Sequence, residues 1–208
     1  MDPLARLRSF PQAPSPNDDP ASIRGNLSLE LKQLNANILA YHVGASGRAF
    51  AGDVINGLKI VEINVRKKRY APREDLQGPD DMEAEIICEI KVTRDMLNVH
   101  GGMSGGCFVA ILDIVTFSAL FALGSVVNVD PSGVSTNMDI RWHRPATPGM
   151  TLTLVGSSVL MSQKGRSFTS RAEMYDKKSG KMLASVTHSV APLQNLPSPL
   201  DQKGKTKL

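Results

Sequence analysis

Aromatic side chains are scarce in this chain, with one Trp, three Tyr and six Phe among 208 residues. That poverty argues against the stacking platforms that hold single-stranded nucleic acid. Cysteine is scarcer still. Cys88 and Cys107 form no CxxC pair and no metal-ligand spacing, so both read as reduced, buried, small hydrophobes. No large excess of one charge sign exists: the net charge of +4 is mild and dispersed. It suits an anionic small molecule and is too weak to argue for DNA. Internal repeats are absent. No apolar run near the N-terminus resembles a secretory signal, and the start, with Arg6 and Arg8, soon meets Pro11, Pro14 and Pro16 and makes a poor mitochondrial presequence. The final Thr206-Lys207-Leu208 loosely resembles a peroxisomal address, although a solvated basic tail is the plainer reading. The expected location is cytoplasmic, with mitochondrial and peroxisomal addresses as alternatives.

What the chain does have is one long apolar stretch, Asn98 to Gly124, that opens on glycines and carries a single charge, Asp113. Glycines before an apolar run read as a tight turn opening a helix. Val109, Ala110, Asp113, Phe117 and Leu120 then share one helical face. A buried carboxylate costs several kcal/mol, roughly, unless it is paired or put to use, so Asp113 marks a candidate site. A membrane span over 105–129 is the alternative, weakened by Asp113 near its middle and by Ser118 and Ser125.

Around this stretch the apolar period changes. Residues 1–25 are rich in Pro, Ser, Asn and Asp and read as a disordered arm. Residues 26–57 form an N-terminal helical extension, with Leu27, Leu31, Leu34 and Ile38 at helical spacing and Gly44 and Gly47 as stops; residues 45–55 are ambiguous. Period-two alternation predicts strands over 58–67, 83–93, 133–142, 150–160, 167–175 and 181–192. Three closely spaced hairpin connections join the last four, which demands antiparallel pairing. Residues 58–192 therefore form one domain, and 193–208 a polar basic tail. A long helix across one mainly antiparallel sheet of five to six strands is an α+β arrangement, the hotdog fold.

At Asn98–Asp113 the sequence resembles the hotdog acyl-CoA thioesterase superfamily, in its phenylacetyl-CoA thioesterase-like branch. That family carries an Asn, a Gly three residues on, then His-Gly-Gly, and an Asp seven residues past the second Gly. Here Asn98, Gly101, Gly105-Gly106 and Asp113 keep the spacing, with Ser104 at the family's His position. Reading His100-Gly101-Gly102 as that motif puts Asp113 four residues too far along and leaves no Asn upstream. Gly133-Val134-Ser135 resembles the family's strand after the helix, which often supplies a Ser or Thr.

The resemblance implies thioester hydrolysis of a fatty or aryl acyl-CoA. The Gly105 amide and the Asn98 side chain would polarise the carbonyl, with Asp113 as general base or nucleophile and Ser135 beside it. Substrate contacts are expected from Ser104, whose hydroxyl is a good helix cap, from Gly106, and from Arg144, Lys164 and Arg166 toward the coenzyme A phosphates. Met103, Phe108 and Phe117 read as acyl-tunnel candidates or, more plainly, as core. His143 and His188 read as structural or solvent-facing, and a Cys107–His100 nucleophile pair is disfavoured because no cation lies near Cys107 to lower its pKa. No cofactor or metal is expected, coenzyme A being part of the substrate.

Gly105 and Asp113 lie eight residues apart on one helix, hence about 12 Å apart, too far to share one carbonyl. A homodimer with composite sites is therefore expected, and the resemblance implies that such dimers pair again into a homotetramer, with neither nucleic acid nor a membrane as partner. The alternative is a non-catalytic hotdog protein that binds acyl-CoA or acts as a scaffold.

Overall fold

A computed structural model describes residues 2–69, 79–162 and 167–193. Its elements run α1 (Ala5–Arg8), β1 (Arg24–Gly25), α2 (Leu29–Ala40), α3 (Gly52–Ile55), β2 (Lys59–Lys67), β3 (Met82–Lys91), α4 (Gly105–Val127), β4 (Gly133–Trp142), β5 (Thr151–Ser162), β6 (Ser167–Asp176) and β7 (Met182–Pro192). The architecture is the expected α+β hotdog arrangement, in which α4 packs against β3, β5 and β6.

α4 is the centre of the core. Ile111, Leu112, Val115, Ala119, Leu120 and Ala122 are fully buried on it. They meet the inward rows of the sheet, among them Ile86, Cys88, Leu152, Leu154, Ala172 and Met174. Each large apolar side chain so buried contributes about 1.5–3 kcal/mol. Helix and sheet touch closely at Gly156, where a Cβ would stand 2.9 Å from both the Val115 carbonyl oxygen and Cγ1. By length and composition α4 would suffice to cross a membrane, yet most of it is buried against the sheet. Asn128 ends it in the left-handed conformation (φ 56°), which Asn tolerates better than most residues.

The sheet has seven strands in the order β1-β2-β3-β5-β6-β7-β4, one more than the alternation predicts. The extra strand, β1, has two residues and runs parallel to β2. It forms because Gly25 (φ +106°) lets the backbones meet where any Cβ would strike the Ile63 carbonyl, and because Arg24 pairs with Glu62 at 2.8 Å. One of the last three connections also differs from expectation. β5–β6 and β6–β7 are hairpins, but β4 pairs with β7 rather than β5. The chain leaves β4 at one edge and crosses to β5, which pairs with β3 in the middle of the sheet. Local alternation carries no information about that non-local choice.

The arm expected to be disordered is packed instead. Leu4, Leu7 and Phe10 are buried in a second apolar cluster with Leu34, Ile38 and Phe121, and Arg6 pairs with Asp130 at 2.9 Å. Three well-placed apolar residues and one ion pair suffice to hold it down. α2 starts where Ser28 accepts the Leu31 amide, and continues as a π turn over Tyr41–Ala45 until Gly44 breaks it at φ 146°. The ambiguous stretch 45–55 contains the short α3.

Gly156→Ala forces a methyl into the α4 backbone, so a loss of about 1–3 kcal/mol is expected, measured as a lower urea midpoint at unchanged slope.

Candidate active site

Asp113 is half-buried on α4, between β4 and β7. Its Oδ1 accepts a hydrogen bond from Ser135 Oγ at 3.2 Å. Ser135 reaches it because β4 is bulged against β7 between Ser135 and Asn137, and a bulge re-aims the side chains beside it. Thr136, the extra residue, ties its hydroxyl to the Ser189 carbonyl.

His188, on β7, stands on the other side of the carboxylate, with Nε2 3.7 Å from Asp113 Oδ1. It is fully buried, not solvent-facing. Its Nδ1 lies 2.7 Å from Thr116 Oγ1, which also contacts the Leu112 and Asp113 carbonyls at 2.9 and 2.8 Å. The protonation that satisfies all of these has Nδ1–H donating to Thr116 and the hydroxyl donating to a carbonyl. Nε2 then presents a bare lone pair toward Asp113. Among the described residues it is one of two buried side-chain polar atoms with no hydrogen-bond partner, the other being Ser170 Oγ.

Desolvation raises the Asp113 carboxyl above the ordinary carboxylate range, opposed by His188, Ser135 and His42. Burial likewise pushes His188 below its ordinary value, opposed by Asp113. Both groups are thus pushed toward their neutral forms, and the raised proton affinity of the carboxyl suits a proton acceptor.

The turn before α4 is held by backbone. Asn98 N–H donates to the Gly102 carbonyl at 2.8 Å, Gly101 N–H to the Asn98 carbonyl, Met103 N–H to the Ala146 carbonyl and Ser104 N–H to the Met96 carbonyl. Asn98 Oδ1 accepts the His100 amide at 2.9 Å, which fixes the side chain and leaves its amide nitrogen with no acceptor among the described residues. Ser104 occupies the N-cap position, but its hydroxyl makes no capping bond, contrary to expectation; its carbonyl instead accepts the Cys107 and Phe108 amides. Gly105 and Gly106 are exposed, and no atom lies within 4 Å of where a Gly105 Cβ would be. Their N–H groups meet no acceptor among the described residues, so the positive end of α4 faces open space.

The other candidates separate. Arg144 is exposed and its Nη1 donates to the Met182 carbonyl. Lys164 and Arg166 lie outside the described residues, as does Thr206-Lys207-Leu208. Burial pushes the Cys107 thiol up to about 11 and Cys88 to about 12, so neither is a nucleophile. Met103 and Phe108 are core, whereas Phe117 is half-buried and lines a cavity beside Asp113. Among the described residues no group of His, Cys, Asp and Glu is arranged to hold a metal.

The sequence singled out neither Thr116 nor His42, and His188 reads there as structural or solvent-facing. A signal for His188 was present: Val186, His188 and Val190 alternate on β7, which puts the imidazole on the inward row.

A long helix laid across an antiparallel sheet, with one carboxylate gripped by a strand hydroxyl on its open side, defines a hotdog protein of the thioester hydrolase class. The chain belongs to the thioesterase superfamily. The family model of that description matches residues 100–183, which hold Gly105, Asp113 and Ser135 but neither Asn98 nor His188. Human acyl-coenzyme A thioesterase 13 is 30% identical over 105 residues, which cover 50% of this chain and 71% of that protein. In fold the chain is similar to zebrafish thioesterase superfamily member 2 (TM-score 0.52, 17% identity, 74% of this chain and 95% of that one). It is also similar to mouse thioesterase superfamily member 2 (TM-score 0.50, 21% identity, 67% and 85%).

Because the folded protein raises the Asp113 carboxyl, ionisation costs stability as pH climbs through the ordinary carboxylate value to the raised one, and the cost is full above it. Asp113→Asn should therefore melt higher than the native protein at pH 8, with the gap shrinking toward pH 4, as read by thermal unfolding across pH.

Proposed function

We propose that this chain is an acyl-CoA thioesterase that hydrolyses a fatty or aryl acyl-CoA to the free acid and coenzyme A. One observation carries the reading: Asp113, gripped by Ser135 and with its proton affinity raised by burial, opens onto an apolar cavity. That combination supplies a proton acceptor beside room for an acyl group. Water activated by Asp113 attacks the thioester carbonyl; attack by the carboxylate itself, through an anhydride, uses the same geometry. Ser135 positions the carboxylate, or the water beside it.

The developing oxyanion needs donors aimed in advance. The open Gly105 amide and the Asn98 amide nitrogen are suited to that task, and losing one such donor costs about 3 kcal/mol of barrier. They sit near the start of α4 and Asp113 lies in the next turns, about 12 Å along. The reading therefore takes Asn98 and Gly105 from one subunit and Asp113 and Ser135 from its twin. β4 favours such an assembly: it is an edge strand with no buried residue, and it exposes Val134 and Trp142. Unpaired edges of this kind readily pair with another chain. The dimer carries two sites by symmetry, and a tetramer of two dimers is consistent with it. Arg144 is assigned to the coenzyme A phosphates together with Lys164 and Arg166, and Ser104 and Gly106 to the substrate's approach at the glycine turn.

Ser104 at the family's His position favours a second reading, an acyl-CoA-binding protein without turnover. An acyl-CoA panel followed by thiol release separates the two: tight binding with no thiol release selects the second. On the first reading Asp113→Asn lowers kcat/KM about 10²-fold or more at unchanged fold. Composite sites have their own signature. Asp113→Asn and Asn98→Ala chains, each nearly inactive alone, should recover about one quarter of native activity when refolded together in equal amounts, because half the dimers then hold one intact site. No recovery, with mixed dimers demonstrated, would rule out the shared site.

A further inference from the structure

We infer that the N-terminal arm, residues 2–13, is a wall of the acyl pocket and restricts this protein to compact acyl groups; the inference rests on the thioesterase reading above. A cavity of about 220 Å³ lies between the arm, α2 and α4. Asp113 stands at its wall, and Ile38, Ile114, Phe117 and Phe121 give it an apolar lining, with Arg6 and His42 also facing it. An acyl chain attached to a carbonyl beside Asp113 has this cavity directly before it.

The arm is locked into that position by three independent contacts. The Arg6 guanidinium grips Asp130 through two nitrogens and also bonds Ser132 Oγ. Leu4, Leu7 and Phe10 are buried against Leu34, Ile38 and Phe121. Phe10 stacks on Tyr41 at 4.1 Å and meets the edge of His42, which in turn lies 5.4 Å from Phe121. A run of rings thus extends from Phe10 through His42, Phe121 and Phe117 to His188 beside Asp113. The arm is continuous with the carboxylate's own packing.

The chemistry of the wall selects the ligand class. Arg6 is neutralised by Asp130, and the His42 ring is bonded through Nδ1 to the Ile38 carbonyl at 2.7 Å. No charge other than Asp113 is therefore left to greet the ligand, and an uncharged aliphatic or aryl tail fits. Size follows from volume. An apolar cavity of about 150 Å³ accommodates a benzene ring, so the 220 Å³ here holds a ring or a short chain, and a long fatty tail has to run out through its open side.

The test is the ratio of kcat/KM for hexanoyl-CoA to that for palmitoyl-CoA. The native protein should favour hexanoyl-CoA about tenfold or more, the scale on which a hydrophobic pocket discriminates by size. Ile114→Trp fills the cavity and should lower hexanoyl-CoA turnover relative to acetyl-CoA. Arg6→Ala frees the arm and should shift the ratio toward palmitoyl-CoA, and it stands if the tryptophan variant fails to fold. A chain-length profile unchanged in the folded variants overturns the inference while leaving the thioesterase reading intact. If the native protein turns over no acyl-CoA, that reading falls and the cavity is judged by calorimetry with hexanoate. Binding lost in Ile114→Trp or altered in Arg6→Ala supports the pocket, and no binding by the native protein overturns it.

Discussion

Asp113 is the one charged side chain on a 23-residue helix whose burial organises the core, and the rest of the site is arranged around holding it there. A carboxylate in such surroundings is tolerated only if it stays partly solvated or finds donors. Here it has both: its side chain stays about one-third exposed, and Ser135 supplies a hydroxyl from a bulged edge strand. The residual cost appears as a raised proton affinity, and that is the property a base near neutral pH requires. Stability and reactivity are therefore two consequences of the same desolvation.

His188 sharpens the point. A fully buried imidazole with one nitrogen bonded to Thr116 and the other unpartnered is an expense in any core. It becomes intelligible only beside Asp113, because each group lowers the cost of the other's charged form while burial disfavours both. The proton has two adjacent resting places, His188 Nε2 and Asp113 Oδ1, 3.7 Å apart. Phe117, edge-on to the His188 ring at 5.2 Å, closes the apolar side of the pair and lines the cavity at once.

Much of this was legible in the residues. The six main strands and α4 follow from alternation and from a single long apolar run, since both patterns are local. Asp113 stood out as the one charge in that run, and Asn98 and Gly105 through their resemblance to the thioesterase motif. Three things were not legible, each for a physical reason. The pairing of β4 with β7 is a non-local choice between equivalent edges. The arm looked disordered because its few apolar residues are spread among prolines, yet Leu4, Leu7 and Phe10 need only one hydrophobic groove to bury. His188 looked ordinary because a strand histidine shows its burial only through the parity of its neighbours Val186 and Val190.

The serine at position 104 follows the same logic of backbone over side chain. A turn that, on the proposed reading, presents the Gly105 amide needs fixed φ and ψ more than it needs any one side chain. Here the fixing is done by main-chain bonds: Ser104 N–H to the Met96 carbonyl, Met103 N–H to the Ala146 carbonyl, and Asn98 N–H to the Gly102 carbonyl. The Ser104 carbonyl then closes the first turn of α4 on Cys107 and Phe108, while its hydroxyl takes no part in the cap. The geometry of the glycine turn is thus independent of the side chain at 104. Serine at 104 keeps a side-chain hydroxyl donor directly beside the Gly105 amide in sequence, and that hydroxyl, taking no part in the cap, is not needed for the shape of the turn.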